Sequence, residues 1–463
     1  MNRYLITTLA LYQTRFWLEV GVHMGELGQP VAFLSFDDRS TELLEAVGLK
    51  VYSAADHYPT QSDGATLDEI FSRFNVAQLN HWTAHERFAF GMRDSLAMRR
   101  KLAGALLAAD HACRDLAVSG QTTVMIQELG GFLSVVGSYF AAQRHGIDNW
   151  FVEPSFFRGR MFLLRNRFAS IRIDYEPGQP VPKEVTTYLD ETVRHGTIVV
   201  PLKDRHQYTT ARKKIVNWRN ARRLVEKLVD KHLRGKKQEF GHIGSHVAVH
   251  ARMLLNSHRL RNRYTALEDC GRYVYYPLHV PGDMALTLRT PHLLDQIGLI
   301  DYICRSVPHT HRVVVKEHPA MVGAMDAVRL IELLRRHDNL LLLPPSTNNY
   351  KVLASADAVI SINSKSGAEA GLVGKPVLVM GDAFYREAPF ATALDRVQDL
   401  PQRLAGLLDE KHRGPGKEAV REYFASVWRQ TVPGELYMAD AENVAVFTRS
   451  MLVATDPAGG DLS

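Results

Sequence analysis

Three pieces of one stretch decide the fold: VVVKEHPAM (residues 313–321), LLLLPPSTNN (340–349) and DAVISINSKSGAEAGLVGKPVLVMGDAFY (357–385). They contain four continuous apolar runs, each followed by a polar turn, at Val313–Val315, Leu340–Leu343, Ala358–Ile362 and Val377–Met380. Unbroken apolar runs of this length are typical of strands buried on both faces of a parallel sheet. Ligands bind in the crevice at the carboxyl ends of such strands. The stretch therefore predicts a half-sheet that holds a ligand, and we expect that ligand to carry phosphate.

The composition is that of a folded protein with more than one domain. At 463 residues the chain exceeds the usual size of a single core, and 46% hydrophobic with 23% charged residues fit a globular fold. No apolar run approaches the roughly 18 residues that span a bilayer, so no membrane span is expected. We interpret the apolar N-terminus as a buried first strand rather than a signal peptide. Three widely spaced cysteines without a CxxC motif predict reduced thiols and a cytoplasmic protein.

The first 55 residues alternate between strand and helix patterns. Strands are predicted over Tyr4–Leu9, Val31–Ser35 and Leu49–Tyr52, with helices over Arg15–Glu26 and Thr41–Ala46. This alternation is the signature of a doubly wound α/β domain.

The remaining patterns extend the α/β reading. One long helix is predicted over His85–Ala109, and strands are predicted over Thr123–Gln127, Trp150–Glu153 and Tyr273–Pro277. A helical pattern over Glu418–Met451 is expected to pack back on the first domain. The chain is thus divided into a first Rossmann-like domain (1–202), a basic helical connection (203–270), a second Rossmann-like domain (271–410) and C-terminal helices with a loose tail (411–463).

Positive charge is concentrated in the connection. Between Lys203 and Lys237 there are thirteen Lys or Arg residues against three acids, whereas the formal charge of the whole chain is only +6. The part from Thr210 to Leu233 is predicted to be helical. An anionic partner should meet this segment. Base stacking on nucleic acid needs interleaved aromatic residues, and between Thr210 and Leu233 only Trp218 supplies one. We therefore expect no nucleic-acid binding, and a solvated helix with possible peripheral contact to anionic lipid is favoured.

The KEHP sequence places two cationic or ionisable side chains at the end of a strand. Lys316 and His318 are two residues apart, so they are predicted to point to the same side, and Pro319 ends the strand. Together they suit a diphosphate or a phosphate leaving group. The alternative is a surface histidine at a strand end, and we favour function because the serine-rich turn is predicted one strand away.

The serine-rich turn is the second candidate anion site. Asn363, Ser364, Ser366 and Gly367 lie at a strand-to-helix junction, where unpaired N–H groups and the helix dipole favour an anion. Gly367 would allow close approach of a phosphate, and Glu369 would accept hydrogen bonds from a ribose. The alternative is an ordinary capping box of Ser366 with Glu369. The turn matches neither the GxGxxG dinucleotide fingerprint nor the P-loop motif.

Polar residues at two further strand ends complete the candidate site. His279 and Asp283 follow the strand Tyr273–Pro277, and Glu153 ends a strand of the first domain. Two carboxylates that face each other across a cleft suit sugar transfer through an oxocarbenium-like state. Asp283 in a Pro-Gly loop is, alternatively, a turn residue. The chain has no DxD motif, so we expect no metal.

These motifs together resemble the bacterial capsule polysaccharide biosynthesis family, which includes Kdo transferases. Five pieces of the family pattern stand here in order: Lys316–Pro319, Ser364–Ser366, Gly367–Ala370, Gly374–Val377 and Gly381–Tyr385. The PGDMAL and VEPSFFRGR segments resemble the acidic loop and the N-terminal Glu motif of the family. The clear match covers about residues 273–386, and the first half matches faintly.

The resemblance implies a GT-B-like fold in which two Rossmann-type domains face a central cleft, with the first domain on the acceptor side. It implies that Lys316, His318, Ser364, Ser366 and Glu369 bind the donor nucleotide, and that Asp283 and Glu153 are the catalytic carboxylates. From their positions at the same strand ends we expect His279, Asn363 and Gly367 to join the donor site, and His318 also to act in catalysis. The implied reaction is metal-independent sugar transfer from a nucleotide-sugar, such as CMP-Kdo, to a glycan or lipid-linked acceptor. The donor is then a substrate and no cofactor is expected.

From the cysteines and the basic segment we expect a cytoplasmic protein with peripheral contact to the inner membrane. Two other functions fit the same residues: a nucleotide-sugar epimerase on the same scaffold, and a non-catalytic protein that binds an anionic surface.

Overall fold

The computed structural model describes residues 2–57, 66–117, 121–196, 226, 228–230, 233–240, 243–409, 414 and 416–456. Most of the basic segment Lys203–Lys237, including much of the helix predicted over residues 210–233, lies outside these residues. None of the helices in the described ranges is long and apolar enough to cross a membrane.

Six strands of the first half, β1 to β6, and the short C-terminal strand β13 (Val432–Pro433) build a seven-stranded sheet in the order β13-β6-β5-β4-β1-β2-β3. Strands β1 to β5 are mutually parallel, and β6 runs antiparallel to β5. The strands are β1 (Asn2–Thr8), β2 (Val31–Ser35), β3 (Lys50–Ser53), β4 (Thr122–Glu128), β5 (Asp148–Pro154) and β6 (Arg160–Arg165). The predicted doubly wound α/β fold of the first 55 residues is confirmed.

Eight helices of the first half surround or flank this sheet. They are α1 (Leu11–Glu26), α2 (Asp38–Glu45), α3 (Leu67–Arg73), α4 (Leu79–Trp82), α5 (Ala84–Phe90), α6 (Ser95–Leu116), α7 (Leu133–Arg144) and α8 (Lys183–His195). Helix α9 (Ile243–Leu260) then leads into the second half.

The second half builds a six-stranded sheet in the order β12-β11-β10-β7-β8-β9, and every pair is parallel. Its strands are β7 (Tyr273–Pro277), β8 (Arg312–Lys316), β9 (Leu340–Leu343), β10 (Ala358–Ser361), β11 (Val377–Val379) and β12 (Ala391–Ala393). The four apolar runs are thus strands of one parallel sheet, as predicted, and their carboxyl ends lie at one edge.

Helices lie between the successive strands from β7 to β11, and one helix follows β12. They are α10 (Met284–Thr287), α11 (Gln296–Ser306), α12 (Ala327–Arg336), α13 (Asn349–Ser355), α14 (Lys365–Leu372) and α15 (Leu400–Leu408). Two C-terminal helices follow, α16 (Lys417–Arg429) and α17 (Ala441–Ala454).

The chain returns to the first half at its end. The short strand β13 (Val432–Pro433) pairs antiparallel with β6, and α17 packs against α1. The ring centroids of Phe16 on α1 and Phe447 on α17 are 5.0 Å apart, nearly perpendicular, an arrangement favoured by aromatic quadrupoles. The last helix, α17, therefore lies against the first helix of the chain.

Three sequence predictions about elements are corrected. The helix expected over His85–Ala109 is two helices, because Gly91 takes a left-handed conformation (φ 65°) that ends α5, and Asp94 then caps α6. The C-terminal pattern is likewise split, since β13 separates α16 from α17. Strands β6 and β12 were not predicted; β12 has only three residues at a sheet edge, and β6 lies next to the edge strand β13.

The two halves face each other across a cleft and share one apolar cluster. Phe156 of the first half lies with its ring 4.7 Å from that of Phe424 on α16. The fold is therefore the predicted GT-B-like pair of Rossmann-type units around a central cleft. The predicted boundaries after residues 202, 270 and 410 stay predictions.

Candidate functional site

The cleft has a volume of about 420 Å³ and is lined from both halves. The carboxyl ends of β7, β8 and β10 reach it from the second sheet, and the end of β5 reaches it from the first. Nine of the ten predicted site residues line it: Glu153, His279, Asp283, Lys316, His318, Asn363, Ser364, Ser366 and Glu369. Residues far apart in sequence meet here because parallel strands share one carboxyl edge.

Lys316 and Glu369 form a buried ionisable pair. The Lys316 Nζ donates to the carbonyl oxygen of Thr347 at 3.1 Å, and the Glu369 carboxylate accepts from Asn349 Nδ2 at 2.6 Å. Burial lowers the pKa of Lys316 to about 8 and raises the pKa of Glu369 to about 7, and each group partly offsets the shift of the other. A phosphate bound beside Lys316 would favour its charged form.

His318 presents one defined tautomer to the cleft. Its Nδ1 accepts a hydrogen bond from the Ala320 backbone N–H at 3.2 Å, capping the short turn that Pro319 begins. In the neutral ring the proton therefore lies on Nε2. That nitrogen is suited to donate to a phosphate oxygen.

The serine-rich turn caps α14 differently from the predicted capping box. Ser364, rather than Ser366, is the N-cap, and its side chain accepts from the Ser366 N–H at 3.2 Å. The Ser366 hydroxyl accepts from Asn349 Nδ2 at 3.0 Å, and Glu369 also bonds Asn349 rather than the cap. Asn349, which follows β9, thus fixes the position of Glu369 in the cleft.

Gly367 does not line the cleft. A side chain on Gly367 would collide with the ring and hydroxyl of Tyr385, which lie against its α-carbon. Its N–H is already bonded to the Ser364 carbonyl at 2.9 Å. The glycine therefore makes room for Tyr385, and not for a phosphate as its position in the turn suggested.

His279 and Asn363 join the loop after β7 to the turn after β10. The buried His279 accepts the Asn363 N–H on Nε2 at 3.2 Å, and burial lowers the pKa of His279 to about 4, so the ring is neutral. The Asn363 side chain donates to Ala285 O at 2.6 Å and to Thr290 Oγ1 at 3.2 Å. These bonds fix the short helix α10 relative to the serine-rich turn.

Asp283 is exposed and lines the cleft from the start of α10. One of its oxygens accepts from the Ala285 N–H at 3.0 Å, so the residue caps α10. Asp283 therefore has the turn role that was considered as the alternative, and it is also exposed to the cleft.

Glu153 is held by an arginine that the sequence reasoning missed. Arg289 donates to both Glu153 oxygens, at 2.9 and 2.8 Å, and its Nε donates to the Phe168 carbonyl at 2.8 Å. The Arg289 side chain is only 6% exposed, and the charge of Glu153 helps keep the pKa of Arg289 raised despite burial. Arg289 is the only Asp, Glu, Lys or Arg in residues 284–294, which are mostly apolar. A single charged residue in such a run is the feature of the sequence that could have indicated its role.

Two further missed residues cross the cleft. Lys365 Nζ donates to the Ser155 carbonyl at 2.9 Å, and Asp382 accepts from the Ser170 N–H at 2.7 Å. Asp382 also pairs with Arg172 at 2.8 Å. With Arg289, these contacts hold the two halves together around the candidate site. In the described ranges, no three His, Cys, Asp or Glu side chains are grouped as metal ligands.

Comparison with known proteins identifies the family. A model described as capsule polysaccharide biosynthesis protein matches residues 136–391, more than half of the chain, and the chain belongs to this family. Protein FixF of Sinorhizobium fredii is 27% identical over 127 residues, a match that covers 27% of this chain and only 30% of FixF.

Solved structures are similar to the chain at low identity. The beta Kdo 2,7 transferase of Thermosulfurimonas dismutans KpsC is 15% identical, with 74% of this chain and 89% of that chain covered and a TM-score of 0.35. A putative UDP-N-acetylglucosamine 2-epimerase from Listeria monocytogenes is 13% identical, with coverage of 100% and 98% and a TM-score of 0.31.

Proposed function

We propose that the chain is a glycosyltransferase of bacterial surface polysaccharide synthesis that takes a sugar from a nucleotide-sugar donor. One observation carries the proposal: Lys316, His318, Glu369 and the Ser364–Ser366 turn meet at the carboxyl edge of one sheet, opposite Glu153 of the other. Membership of the capsule polysaccharide biosynthesis family supports it.

The donor binds to the second half of the chain in this proposal. Lys316 and the donors of the Ser364–Ser366 turn neutralise and bond the phosphate, because cations and a helix N-terminus favour an anion. Glu369 accepts hydrogen bonds from the ribose hydroxyls. His279 keeps the turn in place through the Asn363 N–H. No metal and no cofactor are required, since side chains supply the positive charge.

Transfer breaks the bond between the anomeric carbon and the donor phosphate, and the electron pair leaves with the phosphate oxygen. His318 Nε2–H donates to that oxygen as its charge develops. The acceptor hydroxyl forms the new bond and loses its proton. Asp283, which is exposed to the cleft, is the carboxylate that stabilises the positive charge at the anomeric carbon or accepts that proton. Glu153, held at both oxygens by Arg289, faces it as the second carboxylate.

We further propose a CMP-activated sugar acid, CMP-Kdo, as donor and a glycan or lipid-linked acceptor, on the basis of the family resemblance. We propose the cytoplasm as the site of action, and the unpaired, buried Cys113, Cys270 and Cys304 support this proposal. Peripheral contact with the inner membrane through Lys203–Lys237 stays a prediction.

The test has two parts. Thermal unfolding with CMP, UDP and GDP identifies the nucleotide, since a ligand of the folded state raises Tm; a rise with CMP alone is expected. Donor turnover is then followed with and without a glycan acceptor. The His318→Ala variant should lose transfer by about a hundredfold or more, as expected for loss of an electrostatic donor. Full activity of this variant would overturn the site, and sugar isomerisation without any acceptor would establish an epimerase instead.

A further inference from the structure

The outer face of helix α9 carries an exposed apolar stripe outside the cleft. Val247 and Leu255 are 50% and 49% exposed, and Ala251 between them is exposed as well. Residues four apart lie on the same face of a helix. The three side chains therefore form one line along α9 that no described part of the protein covers.

All formal charge on α9 and in the turn that follows it has one sign. Arg252 and Arg259 on α9, and Arg261 and Arg263 in the turn that follows, are exposed. No Asp or Glu occurs from residue 240 to residue 267. None of these arginines forms an ion pair with another residue in the described ranges. Because arginine stays charged, α9 and its turn carry four positive charges that no described acidic residue pairs, near exposed aliphatic side chains.

This combination points to one kind of partner. A helix with an apolar stripe and flanking arginines lies in the interface of a bilayer, with the stripe among the acyl chains and the cations on anionic headgroups. Nucleic acid would find the charges, but α9 carries no Phe, Tyr or Trp ring for base stacking. We propose that α9 and the turn to Arg263 dock on an anionic lipid surface.

The inner face of α9 is tied to the cleft. Asn256 Nδ2 donates to the carbonyl oxygens of Gly323 and Met325, at 3.0 and 2.8 Å. Gly323 has φ +80°, and the Met253 carbonyl occupies the place that a side chain on Gly323 would need, so helix and loop are in direct contact. Glu317, between Lys316 and His318, accepts the Gly323 N–H at 3.1 Å.

Lipid docking would thus place the membrane one helix away from the residues that we assign to the donor. A lipid-linked acceptor would meet the cleft there, and this last step rests on the proposed function. The docking itself does not depend on it.

The experiment is flotation of the full-length protein with vesicles of phosphatidylcholine containing about one third phosphatidylglycerol, compared with phosphatidylcholine alone, at roughly 0.15 M salt. The wild type should float with the anionic vesicles only. An apolar variant, Val247→Ser with Leu255→Ser, and a charge variant, with Arg252, Arg259, Arg261 and Arg263 all changed to Ser, should each lower the apparent affinity by about tenfold or more.

Matched controls keep the result specific to this face. Val446→Ser with Val453→Ser changes two exposed valines on α17, and its flotation should equal that of the wild type. A second control changes Lys213, Lys214, Arg222 and Arg223 to Ser, which removes four positive charges outside the α9 sequence.

Three outcomes would overturn the proposal. One is absence of wild-type flotation, and a second is unchanged flotation of both α9 variants. The third is loss of flotation only in the Lys213, Lys214, Arg222 and Arg223 variant, which would assign lipid contact to that segment. Sugar transfer without flotation would retain the proposed function while excluding lipid docking.

Discussion

Arg289 and Glu153 form a two-point ion pair across the cleft, with donor–acceptor distances of 2.9 and 2.8 Å. Arg289 follows α10 in the second half, whereas Glu153 lies near the end of β5 in the first. The pair joins the two halves at the point where the candidate site lies between them. A planar guanidinium matches both oxygens of a carboxylate and fixes its orientation as well as its charge.

Arg289→Gln should weaken both folding and transfer. The substitution leaves Glu153 without its bidentate partner and removes the bond to the Phe168 carbonyl, so we expect a loss of about 2–4 kcal/mol in the free energy of unfolding. Urea denaturation measures this loss, and the donor-turnover assay should show lower kcat/KM. Arg305→Gln, which breaks an exposed pair with Asp301, serves as control and should cost no more than about 0.5 kcal/mol. Equal losses in the two variants would contradict the special role of Arg289.

Glu369 should make stability depend on pH between 4.5 and about 7. Its folded-state pKa is raised above the unfolded value because burial disfavours the carboxylate. The stabilisation is therefore present in full below pH 4.5 and is lost as the pH rises through about 7. In Glu369→Gln, the decline of unfolding free energy over this window should be smaller by about 1–3 kcal/mol. Urea denaturation at several pH values measures it, and an unchanged slope would show that Glu369 stays ionised.

Gly367→Ala should destabilise the fold through Tyr385. The added methyl group would collide with the Tyr385 ring and hydroxyl, and we expect a cost of about 1–3 kcal/mol, as for an overpacked core. Gly406→Ala is the matched control, because nothing lies within 4 Å of the added carbon on α15; it should be neutral or stabilise by up to about 1 kcal/mol. Thermal unfolding compares them. If the Gly367→Ala protein were as stable as the wild type but did not bind nucleotide, the result would support the alternative that Gly367 makes room for a phosphate.

Asn363→Asp should impair transfer by releasing α10. A carboxylate cannot donate to the Ala285 carbonyl, so the helix capped by Asp283 loses its tie to the serine-rich turn, and kcat should fall by roughly tenfold or more. Asn339→Asp removes a similar bond to the Cys304 carbonyl, 2.9 Å long and outside the cleft. This control should lower Tm without a comparable fall in kcat. Equal kcat values in the two variants would remove Asn363 from the site.

Most of the second half could be predicted from local patterns. Its strands are unbroken apolar runs, and the polar residues that follow them reach one edge whichever helices connect the strands. Arg289, Lys365 and Asp382 could not be placed in this way, since their partners belong to the other half of the chain. The breaks at Gly91 and at β13 were missed because helical spacing of apolar residues continues across them.

The sequence by itself determined the α/β class, the two Rossmann-type units and the strand ends that carry Lys316, His318 and the serine turn, because apolar periodicity and strand-end chemistry are local. Tertiary structure alone decided which side chains hold one another. In the folded protein Gly367 packs against Tyr385, Glu369 accepts a hydrogen bond from Asn349, and Glu153 forms an ion pair with Arg289. These pairings depend on how sheets and loops that are distant in sequence pack against one another. The same packing buries Lys316 and Glu369, and this burial shifts their pKa values.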